Sequence, residues 1–114
     1  MRSFYYAFRG IVSVFRSEVN MRIHVVAAVL ATVAGFYFKI AAGEWGIVVL
    51  CICSVIAMEL INTAIEQLCN HVTAEQHPVI KKVKDIAAAA VLVTAVGSFV
   101  VALIIFLPKL ISLF

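Results

Sequence analysis

Three long apolar segments constrain this chain more than any other feature, because runs of this length must be buried in protein or in lipid. They cover residues 23–40, 45–69 and 85–107. The composition excludes an ordinary soluble domain, since 65% of the 114 residues are hydrophobic, 13% are charged and the mean hydropathy is +1.14. A membrane span needs about 20 apolar residues, and a snorkelling Lys39 extends the shortest segment. The sequence predicts an all-α membrane protein with three transmembrane helices in a single domain, residues 1–114.

Residues 3–17, ahead of the first span, have the pattern of an amphipathic helix. Aromatic and aliphatic residues recur at helical spacing, while Arg2, Arg9 and Arg16 recur every seven residues on the opposite face. Such a helix is expected to lie in the membrane interface. The alternative is a helix packed on a soluble partner. No signal peptide is predicted at the start of the chain.

The distribution of basic residues predicts the orientation in the membrane. Seven lie in the amino-terminal segment or in residues 70–84, whereas Lys39 and Lys109 lie on the other side. Because cytoplasmic loops carry an excess of lysine and arginine, the amino terminus and the second loop are predicted to be cytoplasmic.

Acidic and amide side chains interrupt the second apolar segment, in the stretch MELINTAIEQL. Three of them, together with Asn70 just beyond this stretch, recur at i, i+3, i+7 and i+11, which keeps them within about 80 degrees on one helix face: Glu59, Asn62, Glu66 and Asn70. An acidic residue at mid-bilayer costs about 2.5–3.5 kcal/mol on an insertion scale. The stripe therefore needs a compensating environment, which could be hydrogen bonds between helices, a bound cation or protonation.

Further charged residues are predicted at the same cytoplasmic level. The carboxylates of Glu18 and Glu66 could share a hard divalent ion through oxygen ligands. Lys84 could hold a phosphate, and Glu59 could act as general base towards a hydroxyl. A metal, a cation and a base are what phosphoryl transfer requires. The chain has neither a P-loop nor a G-x-G-x-x-G motif, so it would be a kinase outside both common phosphate-binding designs.

Two other functions would use parts of this pattern. A small oligomeric transporter or proton channel could use Glu59 as an intramembrane carboxylate. That function does not explain why Glu18, Glu66 and Lys84 gather at one level. A non-catalytic assembly subunit, held together by the small residues of the last span, is a further alternative.

Three sequence blocks resemble a known family. MELINTAIEQL resembles the signature E-x-x-N-[ST]-A-x-E, HPVIKKVKDIAAAAVLV resembles the segment that opens the last span, and FRSEVNMRIH is a weaker match. The chain is similar to the small bacterial integral-membrane lipid kinases, which comprise diacylglycerol kinase and undecaprenol kinase. The resemblance covers nearly the whole chain. It implies a homotrimer of three-span subunits with an amino-terminal surface helix, in the bacterial cytoplasmic membrane, with active sites shared between neighbouring subunits.

The resemblance also implies a role for each matched residue. Glu59 would be the catalytic base, Asn62 would orient groups in the site, and Glu18 and Glu66 would bind Mg²⁺ together with the nucleotide. Asn70 stands where the family usually has an aspartate, which puts in doubt a charge-dependent role at that position. Contacts with ATP are implied for Tyr6, Glu18, Glu66, Glu75, Gln76, His77, Lys84 and Asp85.

Some of these positions have a structural alternative. Tyr6 lies on the apolar face of its helix and could be an interfacial anchor, while Glu75 and His77 could be solvated loop residues. His24 is interpreted as a polar residue near a helix end. The predicted function is an ATP- and Mg²⁺-dependent lipid kinase that phosphorylates a primary hydroxyl. The stretches SEVNMRIH and HPVIKKVKD favour undecaprenol as the lipid, with diacylglycerol as the alternative.

Overall fold

The structure, a computed structural model, describes residues 2–73 and 77–114, and every regular element in this part of the chain is a helix. Three of the helices are long and apolar enough to cross a membrane. The predicted all-α fold, with three transmembrane helices and an amino-terminal helix, is therefore confirmed, whereas the homotrimer stays a prediction. The helices are α1 (Arg2–Ser17), α2 (Val19–Phe38), α3 (Ala42–Val72) and α4 (Pro78–Ile111).

Helices α3 and α4 extend beyond the predicted spans at both ends, whereas α2 begins earlier than predicted and ends at Phe38, two residues before the predicted limit. At a rise of 1.5 Å per residue, the 31 residues of α3 measure about 46 Å and the 34 residues of α4 about 51 Å. The hydrocarbon core of a bilayer is only about 30 Å thick. Both helices must therefore continue into the headgroup region or into water, and the predicted span limits within them stay predictions.

Arg22 joins α1 to α2. Its Nη1 donates hydrogen bonds to the carbonyl oxygens of Phe15, at 3.0 Å, and Arg16, at 2.8 Å. The last carbonyls of a helix have no partner within the helix, and a cation beside them also complements the helix dipole. Glu18 is the single non-helical residue between the two helices. Arg22 therefore holds the junction that carries Glu18.

A tight turn connects α2 to α3 and requires glycine at position 35. The Ile40 N–H bonds to the Gly35 carbonyl at 3.2 Å, and Lys39 takes a left-handed conformation with φ 52°. A Cβ atom at position 35 would lie 2.5 Å from Cη2 of Trp45. Because glycine has no Cβ, the indole can pack directly against the backbone of α2.

One face of α3 packs between α2 and α4. Its members recur at alternating spacings of four and three residues, which is the heptad pattern of helices that pack along their length. We call these residues the packing stripe: Val48, Ile52, Val55, Glu59, Asn62, Glu66 and Cys69. All are buried except Ile52 and Glu66, which are partly buried. The first three form an apolar half of the stripe and the next three a polar half.

Val48 and Ile52 of the apolar half belong to a hydrophobic core, and all three members of this half also line an apolar cleft between the helices. Val48 packs with Ile40 and Ile105, and the surrounding side chains include Phe38, Trp45 and Phe106. An ion pair closes this end of the bundle, since Lys109 Nζ lies 2.9 Å from Glu44 Oε2. Lys109 also donates to the Ile105 carbonyl at 3.0 Å, and Glu44 Oε1 accepts the Ala41 N–H at 2.9 Å. The polar groups at this end therefore have partners within the chain.

Candidate lipid-kinase site

Glu59 is the centre of the polar half of the packing stripe. The residue is only 2% exposed, and its Oε2 atom has no hydrogen-bond partner among the described residues. The nearest basic group described is His24 on α2, whose Nε2 lies 3.7 Å from that oxygen. This distance is within ion-pair range but too long for a hydrogen bond. A buried carboxylate in this state needs a partner from outside these helices.

Two more buried oxygen atoms lie beside Glu59 on α3. Asn62 Oδ1 and Thr63 Oγ1 also have no hydrogen-bond partner among the described residues. Hydroxyls elsewhere in the bundle bond back to their own helix: Thr32 donates to the Ala28 carbonyl at 2.8 Å and Thr94 to the Val91 carbonyl at 2.9 Å. An unpaired buried polar group costs about 1–3 kcal/mol. Three on one face indicate a site that a ligand, water or another subunit completes.

Two further carboxylates lie near this face. The charges of Glu18 and Glu66 both act on Glu59. Glu18 immediately precedes α2, yet its side chain makes no capping hydrogen bond to that helix. Glu18, between α1 and α2, and Glu66, on α3, are thus within electrostatic range of Glu59. No group of three or more histidine, cysteine, aspartate or glutamate side chains that could hold a metal occurs in residues 2–73 and 77–114.

Lys84 is tied to the end of α3. Its ammonium group donates a hydrogen bond to the side-chain carbonyl of Asn70, one helical turn beyond Glu66. Asn70 is therefore an uncharged hydrogen-bond acceptor for Lys84, at the position where the family resemblance implies an aspartate. Asp85 instead pairs with Lys81 at 2.8 Å on an exposed surface of α4.

The remaining predicted site residues are not gathered around Glu59 by any contact described. His77 is exposed and caps α4, since its Nδ1 accepts the Val79 N–H at 3.2 Å. Tyr6 is 59% exposed on α1, and its ring lies edge-on to that of Tyr5. Glu75 and Gln76 lie outside the described residues.

An apolar cleft of about 370 Å³ opens between α2, α3 and α4. Its walls are mostly alanine, valine, isoleucine and phenylalanine side chains, including Ala27, Val55 and Phe99. His24 lines the cleft and also faces Glu59. The imidazole therefore stands between an apolar groove and the buried carboxylate.

Comparison with known proteins identifies the family. The family model described as prokaryotic diacylglycerol kinase matches residues 5–106. The chain belongs to the prokaryotic diacylglycerol kinase family.

Individual relatives agree with this assignment. Undecaprenol kinase from Bacillus subtilis is 43% identical over 109 residues, a match that covers 96% of this chain and 89% of that protein. Diacylglycerol kinase from Synechocystis is 34% identical over 112 residues, and this chain spans 64% of that relative's length. Diacylglycerol kinase from Helicobacter pylori (strain 26695) is 34% identical over 93 residues, covering 81% of this chain and 72% of that protein.

This member of the diacylglycerol kinase family is a lipid kinase, and hence a phosphotransferase, as the sequence predicts. With three helices that can span a bilayer, it is a multi-pass membrane protein. The family assignment favours the kinase over the transporter and over the assembly subunit.

Two residues close to Glu59 were not predicted as site residues from the sequence. His24 was interpreted as a polar residue near a helix end, but it lies against Glu59. Its signal was a polar side chain among the apolar residues of α2. Thr63 was assigned no role, although it is 2% exposed and follows Glu59 by one turn. Its place inside the signature motif could have drawn attention to it.

Proposed function

We propose that this protein is an Mg²⁺- and ATP-dependent lipid kinase that phosphorylates the primary hydroxyl of undecaprenol, with diacylglycerol as the alternative substrate. The observation that carries the proposal is the buried carboxylate of Glu59, whose Oε2 lacks a hydrogen-bond partner among the described residues while two further carboxylates act on it. A carboxylate in this setting suits proton transfer from a lipid hydroxyl.

Glu59 is proposed as the catalytic base. The lipid hydroxyl loses its proton to the carboxylate as its oxygen attacks the γ-phosphorus of ATP, and ADP leaves with the electron pair of the broken P–O bond. General-base catalysis of this kind contributes roughly 10²–10⁴-fold to a rate. Asn62, buried one turn away with an unpartnered Oδ1, is proposed to orient groups in the site.

Glu18 and Glu66 are proposed to hold Mg²⁺. Both side chains supply hard oxygen donors, and neither is fully exposed. Mg²⁺ is usually held by one or two carboxylates together with phosphate oxygens and water, so a site with few protein ligands suits it. The bound ion would neutralise charge on the nucleotide phosphates.

Lys84 is proposed to neutralise phosphate charge, since its contact with Asn70 keeps the ammonium group at the end of α3. Asp85, Tyr6, His77, Glu75 and Gln76 complete the proposed nucleotide contacts. For His77, any nucleotide contact must be compatible with capping α4.

The proposed assembly is a homotrimer with shared sites in the bacterial cytoplasmic membrane, with the amino terminus cytoplasmic. Unpartnered buried oxygens on α3 support a shared site, because a neighbouring subunit could supply their partners. The excess of basic residues in α1 and early α4 supports the orientation.

Purified protein in bilayers tests the proposal directly. With labelled ATP and Mg²⁺, we expect transfer of phosphate to undecaprenol, and a chelator should abolish the transfer. Absence of transfer to both undecaprenol and diacylglycerol by a folded trimer would refute the proposed function.

A competition assay tests the choice of lipid. Both lipids are offered in one bilayer at equal mole fraction, and undecaprenol should be phosphorylated faster, as the similarity to an undecaprenol kinase at 43% identity suggests. Faster labelling of diacylglycerol would reverse the preference while leaving the kinase intact.

A further inference from the structure

His24 is a partly buried polar residue to which the proposed chemistry assigns no role. Its side chain is 17% exposed, whereas the side chain of Glu59 is 3% exposed. An imidazole at this depth is costly unless a polar partner faces it. The nearest acidic partner described is Glu59 Oε2, at 3.7 Å from the imidazole Nε2.

The charges around Glu59 make this contact important. Glu18 and Glu66 place negative charge on the same region, and the imidazole of His24 is the basic side chain described within 4 Å of the Glu59 carboxylate. The remaining described ion pairs, Lys81 with Asp85 and Lys109 with Glu44, join other parts of the chain. In the described structure, His24 is therefore the basic side chain able to orient Glu59.

His24 also connects Glu59 with the apolar cleft. The cleft extends along α4 from Ala95 to Phe106, which corresponds to a length of about 16 Å at the rise of a helix. Its volume of about 370 Å³ is within the range of small-molecule sites. An apolar chain seated there would bring its polar end beside the imidazole, on the side of Glu59.

We propose that His24 is a positioning residue of this kinase: its Nε2–H holds Glu59 Oε2, so that the carboxylate faces the hydroxyl of a lipid whose apolar chain enters between α2, α3 and α4. The inference rests on the proposed role of Glu59 as base. The contact of 3.7 Å would shorten to a hydrogen bond once substrate is bound, as catalytic hydrogen bonds tighten in complexes.

Two substitutions at position 24 separate orientation from packing. His24→Leu fills similar space without a donor, whereas His24→Gln keeps an N–H donor near the position of Nε2. His71→Gln is the matched control, because His71 is exposed near the end of α3. Each variant is assayed in bilayers for kcat and for the KM of Mg-ATP, with thermal unfolding and oligomeric state measured on the same preparation.

We expect His24→Leu to lower kcat by about 10- to 100-fold, the effect of losing a hydrogen bond to a charged group, with the KM of Mg-ATP changed less than about twofold. His24→Gln should recover most of kcat, and His71→Gln should match the unchanged protein. If folded His24→Leu keeps full kcat, or if His24→Gln is as slow as His24→Leu, the positioning role is wrong.

Glu59→Gln, measured in parallel, distinguishes the two levels of the proposal. A slow Glu59→Gln beside a fully active His24→Leu would reject only the role of His24. A fully active Glu59→Gln would reject the assignment of the base, and with it the role of His24.

Discussion

The two halves of the packing stripe on α3 share a helical spacing but differ in the hydrogen bonding of the polar groups near them. At the apolar end, the flanking charges of Glu44 and Lys109 are paired, and Val48 is enclosed by hydrophobic side chains. At the polar end, Glu59 and Asn62 are as deeply buried as the valines, yet each keeps an oxygen without a hydrogen bond in the described chain. The polar groups beside the apolar half are paired within the described chain, which favours stability. The polar half keeps buried oxygens without a partner in the described chain, and we propose that it serves binding and chemistry.

Of the substitutions that test this contrast, Glu59→Gln should have the largest effect on activity. We expect kcat for lipid phosphorylation to fall by at least about 100-fold, because the amide cannot accept the proton, while the KM of Mg-ATP stays nearly the same. Stability should not fall, since the change removes a buried charge. Steady-state kinetics and thermal unfolding in detergent check both expectations.

Glu44→Gln is the control at the opposite end of α3. It removes a carboxylate that pairs with Lys109, so kcat should stay within about twofold of the unchanged protein. If Glu44→Gln lowered kcat as much as Glu59→Gln, the functional contrast between the two ends would be wrong.

Glu66→Gln changes the same polar half, but its main effect should be on the KM of Mg-ATP and not on kcat. Loss of a proposed metal ligand should raise the KM of Mg-ATP by about 10- to 100-fold, and excess Mg²⁺ should partly restore activity. Titration of activity with Mg²⁺ at fixed ATP measures this. A fall in kcat with unchanged Mg²⁺ dependence would move Glu66 out of the metal site.

Gly35→Ala tests the apolar half through stability. Its methyl group would lie 2.5 Å from the Trp45 ring, so α2 and the indole must move apart, at a cost of about 1–3 kcal/mol for overpacking. Thermal unfolding in detergent measures the change. Gly97→Ala is the matched control, because a Cβ there has no neighbour within 4 Å among the described residues. Equal effects of the two substitutions would exclude the Trp45 contact as the cause.

Lys109→Met should have the smallest effect of the series. The ion pair with Glu44 is about one-third exposed on both sides, and such pairs contribute little because water screens them. We expect the melting temperature to fall by at most about 3 °C, with unchanged kinase activity. A larger fall would mean that this end of the bundle depends on the ion pair and not on its hydrophobic core.

Much of the fold follows from hydropathy and periodicity. The predicted segments 23–40, 45–69 and 85–107 correspond to α2, α3 and α4, because an apolar run that crosses a bilayer satisfies its own backbone hydrogen bonds by forming a helix. The helix over residues 3–17 also follows from local pattern. The stretch AAGEW is predicted as a tight connection, but the turn lies at residues 39–41 and α3 already begins at Ala42. Prediction of the site reached Glu59 and Glu66 through their spacing and the signature motif, and Glu18 through its expected cytoplasmic level and the family resemblance; their proposed roles are still to be tested.

Contacts between helices do not follow from the sequence pattern of any single segment. His24 and Glu59 are 35 positions apart in the sequence, and whether they meet depends on the rotation and offset of α2 against α3. The bond from Lys84 to Asn70 and the two bonds from Arg22 to the end of α1 depend on such geometry too.

The amino-acid order was enough to specify helices, spans and one acidic face, because hydrophobicity and helical period are properties of a single segment. Which polar atoms gain partners, and which stay buried without one, depended on how the segments pack. Whether a buried oxygen has a hydrogen-bond partner depends on the side chains around it, and those are set only when the three helices pack together.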